Sequence, residues 1–347
     1  MAKRKTAGAG GRDALILIGE KLHCTRVYRT DGKFVVEKNG DHYVRYRAED
    51  GERLLPIPAA IREGDLWSRG RVRQCAVAIA QGMLGSGEAA ELGADYLARL
   101  AAGQERDGAH FLDLNVDEYT SDPSVRADAM TWLCGVAQEA SSLPLAIDSS
   151  SVEVFRAGIA ACDPSRGRPM INSVSLERMD AADLAAESGA EMVASAAGRD
   201  TMPADAPDRI RNFEALMQEL RGRGIEDDRV HLDPLVMPVA TDPQHGAAVI
   251  EACRAARTEF GDTIHITGGF SNVSFGLPKR KLINTVFTQL CVDAGADGGI
   301  VDPAHINSDA LAALDRDSRA CELARDLLTG NDEFGMNFIT AAREGEI

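Results

Sequence analysis

Short apolar runs alternate with amphipathic stretches of helical period almost to the end of the chain. Apolar runs predict strands at Ala14–Ile18, His110–Asn115, Leu143–Asp148, Pro169–Ser173 and a weaker one at Glu191–Ser195. Three more follow at Arg229–Leu235, Thr263–Thr267 and Gly298–Val301. The intervening periodicity predicts helices over about Glu88–Glu105, Pro123–Ala140, Val152–Ala161 and Arg178–Ser188. It continues with Ala206–Arg221, Gln244–Glu259, Lys281–Ala294 and about Asn307–Leu328. The strands lack a clear apolar–polar alternation, as expected when both faces are covered. Asp122-Pro123 and Asp242-Pro243 read as N-caps followed by a first-turn proline, and Gly189 and Gly295 as helix stops.

Eight β-then-α units predict a (β/α)8 TIM barrel spanning 1–347 as a single domain. No G-x-G-x-x-G follows the first strand, and no phosphate-binding P-loop pattern occurs. One segment breaks the rhythm. More than sixty residues separate the first strand from the first barrel helix, where such a loop usually has about 2–6. Asn39-Gly40 joins Lys33–Lys38 to Asp41–Arg47, and Asp50-Gly51 turns the chain back through Glu52–Ile57. With Arg69–Met83 reading as helix, 23–84 is an inserted β-meander plus helix. It opens on the face where barrel enzymes keep their sites, either flanking the site or covering and pairing subunits.

Charge narrows the partners. Lys+Arg total 38 against Asp+Glu 54, a net −16, which disfavours nucleic acid and anionic membrane. The insertion is the exception, with 11 basic and 8 acidic residues between His23 and Cys75. No apolar run reaches about 18 residues, and the apolar stretch after the basic start is too short for a leader. Seven cysteines without a C-x-x-C read as reduced thiols of a cytoplasmic protein.

Residues at the C-terminal ends of the strands line a barrel's site. Those positions hold Glu20, Asp113, Asn115, Asp148, Asn172, Asp233, Asn272 and Asp302. Any one could be a loop cap, but so many at one end argue for a site. Scattered histidines disfavour zinc. A Mg2+ site stays open, although Asn interleaved with Asp better suits a hydrogen-bonding heterocycle. A carboxylate accepts two parallel N–H bonds from an amino-pyrimidinone edge. No Ser/His or Cys/His pairing suggests a covalent nucleophile.

At these same residues the chain resembles the pterin-binding methyltransferase family. That family includes the methyltetrahydrofolate:corrinoid methyltransferases, the folate module of cobalamin-dependent methionine synthase and, more distantly, dihydropteroate synthase. The resemblance rests on Ile18-Gly19-Glu20-Lys21, Asp113-Leu114-Asn115-Val116, Leu145–Ser149, Met170–Ser173, Asp233-Pro234-Leu235, the run Gly268–Phe287 and Asp297–Asp302. It covers roughly 85–340 plus the first strand. It implies that Asp148, Asn172 and Asp233 hold the pterin edge, supported by Asp113 and Asn115, with Glu20 at the same mouth. It also implies Asn272 at N5 with Ser271 beside it, and Arg280 near the mouth for an anionic tail.

The implied reaction is methyl transfer between N5 of tetrahydrofolate and the cobalt of a corrinoid (cobalamin) cofactor. Asn272 and Asp148 are the expected catalytic residues and no resident metal is expected. Asn272 would stabilise charge developing at N5. The chain lacks D-x-H-x-x-G, since Asp242–Gly246 has the wrong spacing, so a separate corrinoid-binding protein is the expected partner. Family habit adds a homodimer and a role in demethylation or one-carbon metabolism. Two departures lie at the mouth. Lys21-Leu22-His23-Cys24 stands where the family has Arg followed by Asn or Thr, and Asp117-Glu118 where it has Gly. His23 and Asp117 could shuttle a proton. The alternatives are a demethylase taking methyl directly from a small substrate, a dihydropteroate synthase and a folate-binding subunit without turnover. The second is disfavoured because no N-V-T-P-D-S-F follows the first strand.

Overall fold

Along most barrel strands, alternate residues join two hydrophobic clusters that do not mix, as the two-residue period of a strand requires. The computed structural model describes residues 15–347. Its main sheet holds β1 (Ile16–His23), β2 (Phe111–Asn115), β3 (Leu145–Asp148), β4 (Met170–Val174), β5 (Glu191–Ser195), β6 (Val230–Asp233), β7 (His265–Ile266) and β8 (Gly298–Val301). Ile18, Phe111, Ala146, Met170, Val193 and Ile300 form the inner cluster, with Ile16 packed against it. Leu112, Leu114, Ile147, Ile171, Met192 and Leu232 join the outer one, between strands and helices.

Each strand from β1 to β6 pairs in parallel with the next, and β1 also pairs with β8, which leaves β7 and β8 as the two ends of the sheet. The ring closes where Asp297 N donates to Ile266 O at 3.0 Å and Ile300 N to Gly268 O at 2.9 Å. This is the expected (β/α)8 TIM barrel. Its interior is layered. Below the apolar layer, the stacked rings of His231 and His265 meet Glu191 and Asp297, each at 3.0 Å. Above it, the next inward position of nearly every strand is polar.

Helices follow local chemistry. Asp122 accepts from Ser124 N and Val125 N ahead of Pro123–Ala140, and Gly189 ends Met179–Ser188 in the left-handed region. Four expectations shift. The first strand runs on to His23, and its expected start at Ala14 lies outside the described residues. Arg69–Met83 is not one helix. Gly70, at φ +72°, turns the chain, Arg71–Val72 pairs with Tyr28–Arg29, and helix begins at Gln74. The Asn307–Leu328 helix is two, Ser308–Ala312 and Arg319–Leu328, because Ser318 caps a new start through Cys321 N. Asp242 accepts from Gln244 N, and its helix starts only at His245. A last helix, Met336–Glu344, lies beyond the expected elements; Asp332 receives its Asn337 and Phe338 amides.

Within 23–84 the meander is three antiparallel strands, Val35–Lys38, Asp41–Ala48 and Gly51–Pro56. Asn39 and Gly40, at φ +56° and +82°, form the tight turn that their sequence announces. The helix Gln74–Leu84 then packs against Glu88–Arg106.

That contact and a solvent-facing glycine give opposite expectations for one substitution. A Cβ at Gly93 would meet Ala78 O at 2.5 Å and Gly82 N at 2.6 Å, whereas at Gly135 it would meet nothing within 4 Å. Gly93→Ala should cost about 1–3 kcal/mol through overpacking. Gly135→Ala should add about 0.5–1 kcal/mol of helix propensity. Urea unfolding of the two variants beside the parent checks both signs.

Candidate active site

β1 carries one residue more than β2. Gly19 pairs with Leu112 but Leu22 with Leu114, so three steps on one strand meet two on the other. Such a bulge re-aims the side chains beyond it. Here it brings Glu20 and His23, three residues apart, to the same inward face. The register then sets His23, Asn115, Asp148 and Asn172 side by side across four strands.

These residues form a hydrogen-bonded floor. Asp113, wholly buried, accepts at Oδ2 from His23 Nε2 and from Asn172 Nδ2, each at 3.1 Å. Its Oδ1 is buried without a partner among the described residues. Asn115 lies behind Asp148, donating from Nδ2 to Oδ2 at 3.0 Å while its own Oδ1 receives Asp117 N at 3.1 Å. His23 Nδ1 is 4.0 Å from Asp148 Oδ2. On the opposite side Asp233 Oδ1 accepts from Leu235 N at 2.8 Å. Under that turn the buried Arg209 donates to Pro234 O at 2.6 Å and Asp205 O at 2.9 Å. Gly268 and Gly269 keep the next turn open, since a Cβ there would reach Asp233 Oδ1 at 3.2 Å or Asn272 Nδ2 at 2.9 Å.

The rim is built from β1 and the turn after β7. Glu20 accepts from Arg26 at 3.3 Å and from Ser271 Oγ at 3.1 Å. Arg280 donates to Ser271 O and Ser274 Oγ, each at 3.0 Å, and stacks on Phe275. It therefore braces the short 3-10 helix Phe270–Ser274, from which Asn272 projects. The Asn272 carboxamide has no hydrogen-bond partner among the described residues and faces the cleft. Lys21 pairs with Asp302 at 2.8 Å across the β1–β8 seam.

Electrostatics follow from this crowding. Burial, then the facing Asp113 carboxyl, push Asp148 up to about 7, against His23 and the Asn115 carboxamide. Burial likewise lifts Asp233 to about 6, with the Leu235 amide and Arg209 pulling back. Glu20 is also raised by burial, opposed by Arg26. Burial works against a charged His23, yet Asp113, Asp148 and Glu20 together carry it up to about 9. His23, Asp113 and Asp148 offer ligand atoms within 4.8 Å of one another, a spacing a small cation could use. Histidine ligates through a neutral ring nitrogen. Here Nε2 is engaged with Asp113 Oδ2 at 3.1 Å, the geometry of an ion pair.

Glu20, Asp113, Asp148, Asn172, Asp233, Ser271, Asn272, Arg280 and Asp302 all line one cleft of about 690 Å3 at the barrel mouth. Asn115 is not among the lining residues and acts through Asp148. Asp117 is spent on Ser149 Oγ at 2.6 Å and Ser150 N at 2.7 Å, tying two loops together. Sequence reasoning missed Arg26 and Arg209 and gave His23 too small a part. Counting by twos from Glu20 puts His23 on the outer face, and nothing in the pattern announces the bulge. Arg209 sits in an ordinary amphipathic helix without a distinguishing signal.

Residues 88–302 match the family model described as pterin binding enzyme. A methylcorrinoid:tetrahydrofolate methyltransferase of Eubacterium limosum is 30% identical over 71% of this chain and 87% of its own. The methionine synthase of Mycobacterium tuberculosis is 34% identical over 60% of this chain but only 18% of that longer protein. Among solved structures, dihydropteroate synthase of Xanthomonas albilineans superposes with a TM-score of 0.50 at 20% identity, covering 65% of this chain and 87% of that one. The Coxiella burnetii dihydropteroate synthase gives 0.50 at 14% identity, covering 68% and 86%. Those structures share the fold alone, whereas the matched family model and the methyltransferase relative extend to sequence. By both, the chain belongs to the pterin binding enzyme family.

Proposed function

We propose that the chain is a tetrahydrofolate-dependent methyltransferase that moves a methyl group between N5 of the folate and a corrinoid carried by a separate protein. One observation carries the reading. Asp148, Asn172 and Asp233 converge on a cleft whose rim presents Asn272, and the buried Asp113 Oδ1 beside them lacks a partner among the described residues. A floor of acceptors and carboxamides suits the donor-rich edge of a pterin. The extent of the match to the Eubacterium limosum methyltransferase supports the same chemistry.

In this reading Asp148 and Asp233 accept N–H bonds from the ring, and Asn172, fixed by Asp113, supplies a mixed donor and acceptor. Asn115 holds Asp148 in place. Asn272 donates towards N5 and stabilises the charge that changes there as the methyl group leaves or arrives. Glu20 and Arg280 anchor Ser271 and so set where Asn272 points. The corrinoid supplies the cobalt that exchanges the methyl group. We further read 1–347 as one pterin-binding barrel domain with 23–84 inserted at its mouth, acting as a cytoplasmic homodimer in demethylation or one-carbon metabolism. No helix among the described residues is long and apolar enough to cross a membrane.

An anaerobic absorbance assay with methyltetrahydrofolate and free cob(I)alamin tests the proposal: protein-dependent loss of the Co(I) band with growth of methylcobalamin is expected. Folate binding without that change would move the reading to a direct demethylase. Absence of folate binding would end the pterin reading altogether. Asp148→Ala should weaken tetrahydrofolate binding about 100-fold, the weight of about 3 kcal/mol in charge-assisted bonds, while the far-ultraviolet spectrum stays unchanged. Asn272→Ala should lower kcat about 100-fold with little change in KM; equal losses in binding and turnover would make it a uniform binder.

A further inference from the structure

We propose that His23 is a positioning residue of the pterin floor. Its imidazole, set between Asp113 and Asp148, keeps Asp148 in the carboxylate form that a pterin edge needs. The inference rests on the pterin reading above and goes beyond it, because the family resemblance places Asn or Thr in this part of the first strand.

The geometry starts from the bulge. Without the extra residue between Gly19 and Leu22, a side chain at 23 would point to the helix layer. With it, His23 is nearly buried, with Nε2 3.1 Å from Asp113 Oδ2 and Nδ1 4.0 Å from Asp148 Oδ2. The floor would otherwise place two carboxyl groups together with only carboxamides between them, and like charges so placed favour a proton on one. A protonated carboxyl offers a donor where the pterin edge also offers donors, so the proton would block recognition. A cation between the pair removes that pressure.

The groups facing Asp148 are few. From β2 and its loop come Asp113, Asn115 and Asp117, and from β4 Asn172. Arg178, after β4, turns its guanidinium to Ser149 O at 3.1 Å and to Ser173 Oγ at 3.0 Å. Glu20 on β1 faces His23, and Asp233 lies across the cleft with Arg209 behind it. His23 is the cation that acts directly on Asp148. The sign of the effect follows. Asp148 binds as a carboxylate, so affinity falls as pH drops through its titration. Removing the cation favours the protonated form and moves that fall to higher pH.

Tetrahydrofolate affinity is measured by anaerobic calorimetry from about pH 5.5 to about 9.5, spanning both titrations. The parent should bind at constant strength in the alkaline range and weaken below about 7. His23→Gln should weaken about one pH unit or more higher, so that it binds about tenfold less tightly at neutral pH and rejoins the parent at the alkaline end. His23→Lys, which keeps a cation, should return most of the shift. An unmoved pH limb, or an equal loss at every pH, would overturn the inference while leaving the pterin reading standing. A parent that binds at no pH would overturn both. Ring titration of His23 by NMR in the ligand-free parent is independent of folate and of the variants' folding. It should report about 9, falling towards about 6.5 in Asp113→Asn, and an ordinary value in the parent would overturn the inference.

Discussion

Asp113, Asp148 and Asp233 are drawn into one barrel mouth, where burial raises the cost of charging Asp148 and Asp233 and the Asp113 carboxyl adds to it at Asp148. Everything around them answers that constraint. His23 lies between two of them, Asn115 and Asn172 donate carboxamide protons to them, and Arg209 stands behind the third. The apolar layer of Ile18, Phe111, Ala146, Met170, Val193 and Ile300 seals the barrel directly beneath. A buried polar network is stable only when its members are satisfied. Among the described residues Asp113 Oδ1 and the Asn272 carboxamide have no partner, and a ligand has much to offer there.

Two arginines show how the scaffold turns sequence-distant elements into site geometry. Arg209, on a helix before β6, fixes the turn that follows Asp233. Arg280, at the start of the helix after β7, grips Ser271 O and Ser274 and stiffens the turn bearing Asn272. Arg280 was expected at the mouth as a partner for an anionic tail. Its guanidinium also donates to Ser271 O and Ser274 Oγ and lies over Phe275, so it braces this turn from the mouth.

Much of the barrel was legible because each βα unit repeats the same physical bargain, an apolar run covered by an amphipathic helix with polar residues left at the strand's end. That repetition named eight strand-end residues, of which seven line one cleft and Asn115 lies just behind it, while Ser271 and Arg280 came from the family resemblance. It failed where single residues override the period. Gly70 and Ser318 divide stretches whose composition reads as continuous helix. The strands' lack of apolar alternation concealed a real one, because the inner cluster and the outer layer are both hydrophobic and differ only in which side they face. Inward polarity lies above and below the inner apolar layer, at the ends of the short strands. His23 was expected at the mouth beyond a strand ending at Ile18, and its place on the floor could not be read because parity along a strand can be counted only if no residue is inserted.

The extra residue in β1 has a consequence for how relatives are compared. A strand sorts its side chains by odd and even position, so an alignment drawn straight through this segment exchanges the two faces for everything beyond the bulge. Residues equivalent to Glu20 would stay matched, while those set against His23 would belong to the helix layer of their own barrels. A one-residue gap between Gly19 and Leu22 restores the correspondence for relatives with an unbulged strand. Whether a relative requires that gap distinguishes chains able to place a base on the floor from chains that fill it by other means.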